Sequence, residues 1–264
     1  MQLRCADALR LRTQLAEVPL PGGRGPDRHR RRLAGPARPA GKRFVDVGSG
    51  SGLFSLVARR AGAEVHSFDV DEDSVWCTAQ LRDRYFEGDP GWVVELGSAL
   101  DRDYLKTLGT FDVVYSFGVL HHTGALWEAM GNVVELVAPG GSLALGIYND
   151  QGTASRGWGK VKALYNARAP LRPVLLLGAG GYLWGRHLLA RLLLGRRSDR
   201  RRGMSAWRDL VDWVGGYPFE VAKPELVFRF LRDRDFELVE LQTCAGGHGC
   251  NTFVARLRPS PPAD

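Results

Sequence analysis

At 264 residues the chain is long enough for one large α/β domain with a sizeable core. Its formal charge of +7 invites a nucleic-acid partner, but residues 1–43 hold eleven Lys/Arg against three acids, and the remainder holds twenty-five against twenty-six. The excess sits in a tail rich in Pro, Gly and Arg, so residues 1–40 read as a basic, disordered segment and no nucleic-acid partner is expected. Four cysteines (Cys5, Cys77, Cys244, Cys250) lack C-x-x-C spacing, which suits a reducing, cytoplasmic setting. The first thirty residues carry Arg throughout and no apolar run, so no secretory leader is expected.

Strand and helix patterns alternate from residue 43 onward. Arg43–Val47, Glu64–Phe68, Trp92–Leu96 and Phe111–Phe117 predict strands one to four. Ala125–Val137 predicts a helix, with Leu126, Ala129, Met130, Val133, Val134 and Val137 on one face. Strand five is predicted at Ser142–Tyr148, after a Pro139-Gly140-Gly141 turn. Pro224–Arg234 predicts a helix, Glu237–Thr243 strand six and Thr252–Leu257 strand seven. Only a Gly-rich loop joins the last two strands. That leaves no room for a crossover, so they should be antiparallel to each other.

Residues 149–217 interrupt this alternation and predict a lid insertion. They carry Trp158, Trp184, Trp207 and Trp213. The apolar run Val174–Trp184 is too short to span a bilayer. Leu188, Leu189, Leu192 and Leu193 continue it, interleaved with Arg186, Arg191, Arg196 and Arg197. This segment predicts either a lid helix or a peripheral membrane contact that admits a lipid-like substrate.

The chemistry is concentrated where strand one ends. Val47 runs into Gly48-Ser49-Gly50-Ser51-Gly52-Leu53, a strand, a glycine turn and a helix, the nucleotide-binding corner of a doubly wound sheet. A dinucleotide fingerprint would place its third glycine at position 53, where Leu53 stands. The pattern is G-x-G-x-G, preceded by Asp46 and followed by Asp69 at the end of strand two. A carboxylate there can take both hydroxyls of a ribose.

From Gly41 onward the chain resembles the class I S-adenosylmethionine (SAM) methyltransferases. It is similar to a bacterial group related to the ubiquinone-biosynthesis O-methyltransferases. The resemblance rests on Gly41–Leu56, Phe111–Gly124, Ile147–Gly152, Asp212–Ala222 and Gly247–Asn251. It implies a Rossmann-like α/β fold: a seven-stranded doubly wound sheet of order 3-2-1-4-5-7-6, strand seven antiparallel, with the lid inserted after strand five. It also implies methyl transfer from SAM by a domain spanning residues 41–264. The amino-terminal stretch departs from the group, whose members begin with an aromatic, helix-forming segment that helps cover the cofactor. Codons compatible with Leu11–Leu20 read one base later as Phe-Gly-Arg-Asn-Trp-Arg-Lys-Phe-Leu. Residues 11–35 are therefore expected to be a shifted-frame translation, which the coding DNA tests.

Methyl transfer from a sulfonium is an in-line displacement that needs alignment and exclusion of water, with no metal. The backbone of Gly48, Ser49, Gly50, Ser51, Gly52 and Leu53 is expected under the cofactor. Asp46 would orient that loop or hold the amino group, Asp69 would bind the ribose and Val70 would pack on the adenine. Ser98 and Ala99 after strand three, and Ser116 and Phe117 at the end of strand four, complete the expected cofactor site. His121 and His122 follow strand four, at the carboxyl ends of the strands where ligands bind in open α/β sheets. Either is a candidate base for a hydroxyl acceptor, because imidazole titrates in the useful range. Tyr148, Asn149 and Asp150 follow strand five and are candidates for substrate binding. The predicted activity is O-methylation of a small molecule. N- or C-methylation of a secondary metabolite or sugar, and a SAM-binding module without catalysis, stay open. An Asn/Asp-Pro-Pro-Tyr/Phe motif for base N-methylation is absent after strand four.

Overall fold

The computed structural model describes residues 40–194 and 206–259. The expectations for residues 1–39, for Cys5 and for Arg196 and Arg197 lie outside the described residues.

The first unit is a sheet layered between helices. Its strands are β1 (Arg43–Val47), β2 (Glu64–Asp69), β3 (Trp92–Leu96), β4 (Phe111–Phe117), β5 (Val137–Tyr148), β6 (Phe236–Gln242) and β7 (Cys250–Leu257). The spatial order is β3-β2-β1-β4-β5-β7-β6. β1 to β5 pair in parallel, and β7 lies antiparallel to both β5 and β6. The predicted order and the reversed seventh strand are both present.

A parallel sheet covered on both faces needs apolar residues on both sides of each strand. β1 shows how the sequence meets this. Phe44 joins Leu56, Val65, Leu81 and Trp92 in one buried cluster. Val45 and Val47 join Val114, Leu143, Leu145 and Phe253 in the other. The helices of this unit are α1 (Leu53–Arg60), α2 (Glu72–Phe86), α3 (Arg102–Leu108), α4 (Leu126–Val134), and α8 (Pro224–Arg232), with a 3-10 turn at Leu120–His122. α2 starts on Asp71, whose carboxylate accepts from Ser74 N–H at 2.9 Å. α3 starts on Asp101, which accepts from Tyr104 N–H at 2.9 Å.

Several predicted boundaries move. The helix at 125–137 is shorter, Leu126–Val134, because Val137 pairs with Phe111 and belongs to β5. β5 starts before Pro139-Gly140-Gly141, which interrupts its register on β4 rather than preceding the strand. Gly140 takes φ +75° there, and the irregularity lets the strand resume at Ser142. α8 ends at Arg232, since Asp235 turns the chain at φ +62° into β6. β6 begins one residue early at Phe236, and β7 begins at Cys250, opposite Tyr148.

The second unit, residues 152–219, is helical. It contains α5 (Thr153–Ala167), a 3-10 turn (Ala169–Leu171), α6 (Arg172–Leu194) and α7 (Ala206–Gly215). Tyr165, Leu176, Ala179, Leu210 and Val214 form its own buried cluster. The apolar run predicted at 174–184 thus lies inside one helix. No helix among the described residues is long and apolar enough to cross a membrane.

Lys162 is fully buried inside this unit. Its ammonium donates to the Trp213 carbonyl and stands 4.4 Å from the Trp213 ring and 4.9 Å from the Phe219 ring. Asn166 Nδ2 donates to Gly215 O at 3.1 Å beside it. α5 therefore supplies two donors to the carboxyl end of α7, where the helix leaves carbonyls without intrahelical partners. Burial pushes the Lys162 amine down to about 7.

Candidate active site at the carboxyl ends of the strands

β1 delivers the chain into the glycine turn, and the turn is pinned from β2. Gly48 and Ser49 both donate to Phe68 O, at 2.9 and 3.1 Å. Gly50 N–H donates to Asp69 Oδ2 at 2.9 Å. From α2, Thr78 Oγ1 donates to Gly50 O at 3.1 Å and lies 3.2 Å from Ser49 Oγ. Two of the glycines serve different needs. At Gly48, φ +75°, a Cβ would come within 2.4 Å of Val119 Cγ1. At Gly50, φ +55°, a Cβ would meet nothing within 4 Å. Gly50 thus presents bare backbone to open space, a cradle for a ligand that must come close to the main chain. Ser51 follows half-buried, and Leu53 opens α1 and packs on the Phe44 cluster.

Asp46 lies beneath this turn, buried. Ser55 Oγ donates to Asp46 Oδ2 at 2.6 Å, Ser67 Oγ donates to Ser55 Oγ at 2.8 Å, and Trp92 Nε1 donates to Ser67 Oγ at 2.9 Å. A buried polar chain thus crosses from β3 through β2 and α1 to β1. Burial pushes the Asp46 carboxyl up to about 7, against the opposing Ser55 hydrogen bond. Its observed contact is with α1, which fits loop orientation. Ser55, Ser67 and Trp92 were not legible as site residues. The one sequence signal was the presence of serines in otherwise apolar strand and helix patterns.

Asp69, at the tip of β2, is buried, with both carboxylate oxygens fixed. Oδ2 accepts from Gly50 N–H and Oδ1 accepts from Asp71 N–H at 3.0 Å. Burial raises its pKa, while the hydrogen bonds from Gly50, Asp71 and Val70 backbone oppose that rise. Beside this carboxylate, Val70 is 71% exposed and Leu96, its neighbour across the β2–β3 ladder, is 54% exposed. Two open apolar side chains flanking a fixed carboxylate and a bare glycine turn suit an adenosine-like ligand. The residues present therefore fit the cofactor expected from the motif.

Ser98 Oγ accepts from Leu100 N–H at 3.2 Å and braces its own turn. Ala99 is buried, and its carbonyl accepts from Asn132 Nδ2 at 3.1 Å. Ser116 is buried, its Oγ 3.3 Å from Val47 O, and so ties β4 to β1. The Phe117 ring covers the Cα of Gly146 on β5, where an added Cβ would approach it to 2.3 Å.

His121 and His122 sit in the 3-10 turn after β4. His121 is fully buried, and its Nδ1 accepts from Tyr148 N–H at 3.3 Å. Its ring lies 3.8 Å from the Tyr148 ring and 4.5 Å from that of His122. The structure brings these three predicted residues together across 27 positions of sequence. The accepted hydrogen bond fixes the neutral His121 ring with its proton on Nε2. His122 is half-buried and meets the Tyr148 ring edge-on at 5.4 Å.

Asn149 is held by the carboxyl-terminal hairpin. Its Nδ2 donates to Gly247 O at 3.1 Å and its Oδ1 accepts from Asn251 Nδ2 at 3.0 Å. Asn251 Oδ1 in turn accepts from Cys244 N–H at 3.0 Å. Asp150 N–H donates to Ala222 O, and Ala222 N–H donates to Tyr148 O, so residues 148–150 pair with the strand-like segment around Ala222. Among the described residues, no group of three or more His, Cys, Asp or Glu side chains is gathered as a metal site.

Residues 23–173 match a family model described as a methyltransferase domain. Among curated proteins, a tRNA U34 carboxymethyltransferase of Methylococcus capsulatus is 34% identical over 128 residues, 48% of this chain and 38% of that protein. A 27-O-demethylrifamycin SV methyltransferase of Amycolatopsis mediterranei is 32% identical over 120 residues, 44% of this chain and 42% of that protein. The match therefore spans about two-fifths of these relatives' lengths. Among solved structures, the N-terminal domain of EvdMO1, determined with SAH and D-fucose, aligns over 97% of this chain and 98% of its own at TM-score 0.53 and 16% identity. A SAM-dependent methyltransferase of Mesorhizobium loti aligns over 86% and 94% at TM-score 0.50 and 17% identity. With the family model covering more than half of its residues and the seven-stranded sheet in the implied order, the chain belongs to the methyltransferase domain family, the class I SAM-dependent methyltransferases.

Proposed function

We propose that this chain methylates a hydroxyl oxygen of a small-molecule acceptor. The observation that carries the reading is the shared crest of the sheet. The Gly48–Gly52 turn fixed to Asp69 stands at the ends of β1 and β2, and the His121–His122 turn stands at the end of the adjacent β4. Bound SAM supplies an electrophilic methyl group. Gly48, Ser49, Gly50, Ser51, Gly52 and Leu53 would hold its amino-acid and ribose portions, Asp69 its hydroxyls, and Val70, Ser98 and Ala99 its base. Ser116 and Phe117 support the floor. Asp46 keeps the turn in register from below.

His122 takes the acceptor's proton in this reading, because His121 is buried with Nδ1 engaged. Tyr148 and Asp150 orient the acceptor, and Asn149 holds their strand end in place. A screen of phenols, sugars and lipids with labelled SAM tests the activity. Once an acceptor is found, His122→Ala should lower turnover by about 100-fold or more with SAH binding intact, and His121→Ala should cost less. Unchanged turnover in both variants would remove the base from this turn. SAH binding without turnover on any pool would favour a non-catalytic module.

The curated relatives include tRNA enzymes, so RNA is the competing acceptor class. The charge beyond residue 43 is nearly balanced, twenty-five bases against twenty-six acids, which favours the small molecule over a polyanion. A peripheral lipid contact is a second reading, favoured by α6. Val174, Leu177 and Trp184 are exposed on one helical stripe, and Arg168 and Arg172 stand at its start. The protein should then sediment with anionic vesicles at low salt and be released by salt. Failure to sediment would withdraw that contact without touching the methyl-transfer reading.

A further inference from the structure

The helix that follows the histidine turn lacks a cap of its own. α4 begins after Ala125, which offers no side-chain oxygen to the first N–H groups. The missing acceptor comes from 94 residues away: Glu220 Oε2 accepts from Leu126 N–H at 3.0 Å. A carboxylate at this end also opposes the positive pole of the helix. Glu220 makes a second bond in the opposite sense, its own N–H donating to His121 O at 2.9 Å. One residue thus brackets the chain from His121 to Leu126.

The same segment reaches β5. Ala222 N–H donates to Tyr148 O at 2.9 Å, and Tyr148 N–H donates to His121 Nδ1. Histidine turn, strand end and the 220–222 segment therefore close a ring of hydrogen bonds. Glu220 supplies the one side-chain carboxylate in that ring. The helical unit leaves the sheet at Gly152 and returns at Phe219, so Glu220 is the first residue after its return.

We infer that Glu220 is a positioning residue for methyl transfer: through Leu126 and His121 it holds the histidine turn against Tyr148. The inference rests on the proposed reaction at this crest, but its geometry does not depend on which histidine is the base. The side chain touches no expected cofactor contact, so its loss should disturb the histidines and leave SAH binding alone. A glutamine at this position keeps an acceptor oxygen for Leu126 N–H, whereas alanine removes it.

The test uses the full chain labelled with 15N-histidine, whose six histidines give a simple spectrum. Wild type should show His121 as one neutral form, protonated at Nε2. Glu220→Ala should replace it with averaged signals from both neutral forms, and Glu220→Gln should restore the wild-type pattern. The dissociation constant for SAH should change by less than about twofold in both variants. If the alanine variant does not fold, Glu220→Asp, which withdraws the carboxylate by one methylene, should give the same loss of a single form. An unchanged His121 signal in Glu220→Ala or Glu220→Asp would overturn the inference. So would an equal loss in Glu220→Gln. His122→Ala turnover tests the base separately, so the two readings fail by different measurements.

Discussion

Asp69→Ala should weaken SAH binding by about 100-fold or more, the largest effect expected at the cofactor site. Two losses combine. A carboxylate hydrogen-bonding a ribose contributes about 1.5–3 kcal/mol per bond to a charged group. The same substitution also strands Gly50 N–H, which now donates to Asp69 Oδ2 at 2.9 Å. Leaving that donor without a partner costs about 1–3 kcal/mol and loosens the turn. Asp69→Asn keeps an acceptor for Gly50 and separates the two contributions, and it should fall between wild type and alanine. Calorimetric titration with SAH measures all three proteins. An Asp69→Ala protein that binds SAH as wild type does would remove the carboxylate from the cofactor site.

The second large effect is on stability and concerns Lys162. Its amine is depressed from 10.5 to about 7 by burial. A lysine depressed in the folded state contributes stability that is fully present above 10.5 and is lost as pH falls through about 7. Unfolding of the helical unit should therefore become harder as pH rises from 7 to 9, by about 2 kcal/mol. Lys162→Met should flatten that slope. It removes the burial penalty of the charge but also the amine's hydrogen bond to the Trp213 carbonyl, worth about 0.5–1.5 kcal/mol. The absolute stability at pH 7 is thus a difference of opposing effects, whereas the change of slope between wild type and Lys162→Met reports the amine. Denaturant unfolding at pH 7, 8 and 9, followed by tryptophan fluorescence, reads it. A wild-type slope retained in Lys162→Met would assign the titration to another group.

The glycine turn and its partners illustrate what is readable along the chain. The change of apolar period from strand to helix around Gly48–Gly52 is local, and so is the reversal of β7 forced by a loop too short for a crossover. Boundaries were less legible. Val137 fits a helical face, yet pairing with Phe111 draws it into β5, because ladder hydrogen bonds outweigh a weak terminal helix preference. Residues 139–141 read as a turn by composition, and only the neighbouring strand shows that they interrupt a ladder instead.

The nucleotide-binding corner, the alternation of strand and helix and the placing of His121, His122, Tyr148 and Asp69 near strand ends are all legible along the chain. These follow from local rules: periodicity, glycine conformation and chain reach. What holds them emerges only on packing. Packing sets the serine chain beneath Asp46, the engagement of Asn149 by Asn251, and the capping of α4 by Glu220. They join groups from 9 residues apart, at Ser55 and Asp46, to 102 apart, at Asn149 and Asn251. Such partners are chosen by which buried donors and acceptors the packed sheet leaves facing one another, and no local pattern records that choice.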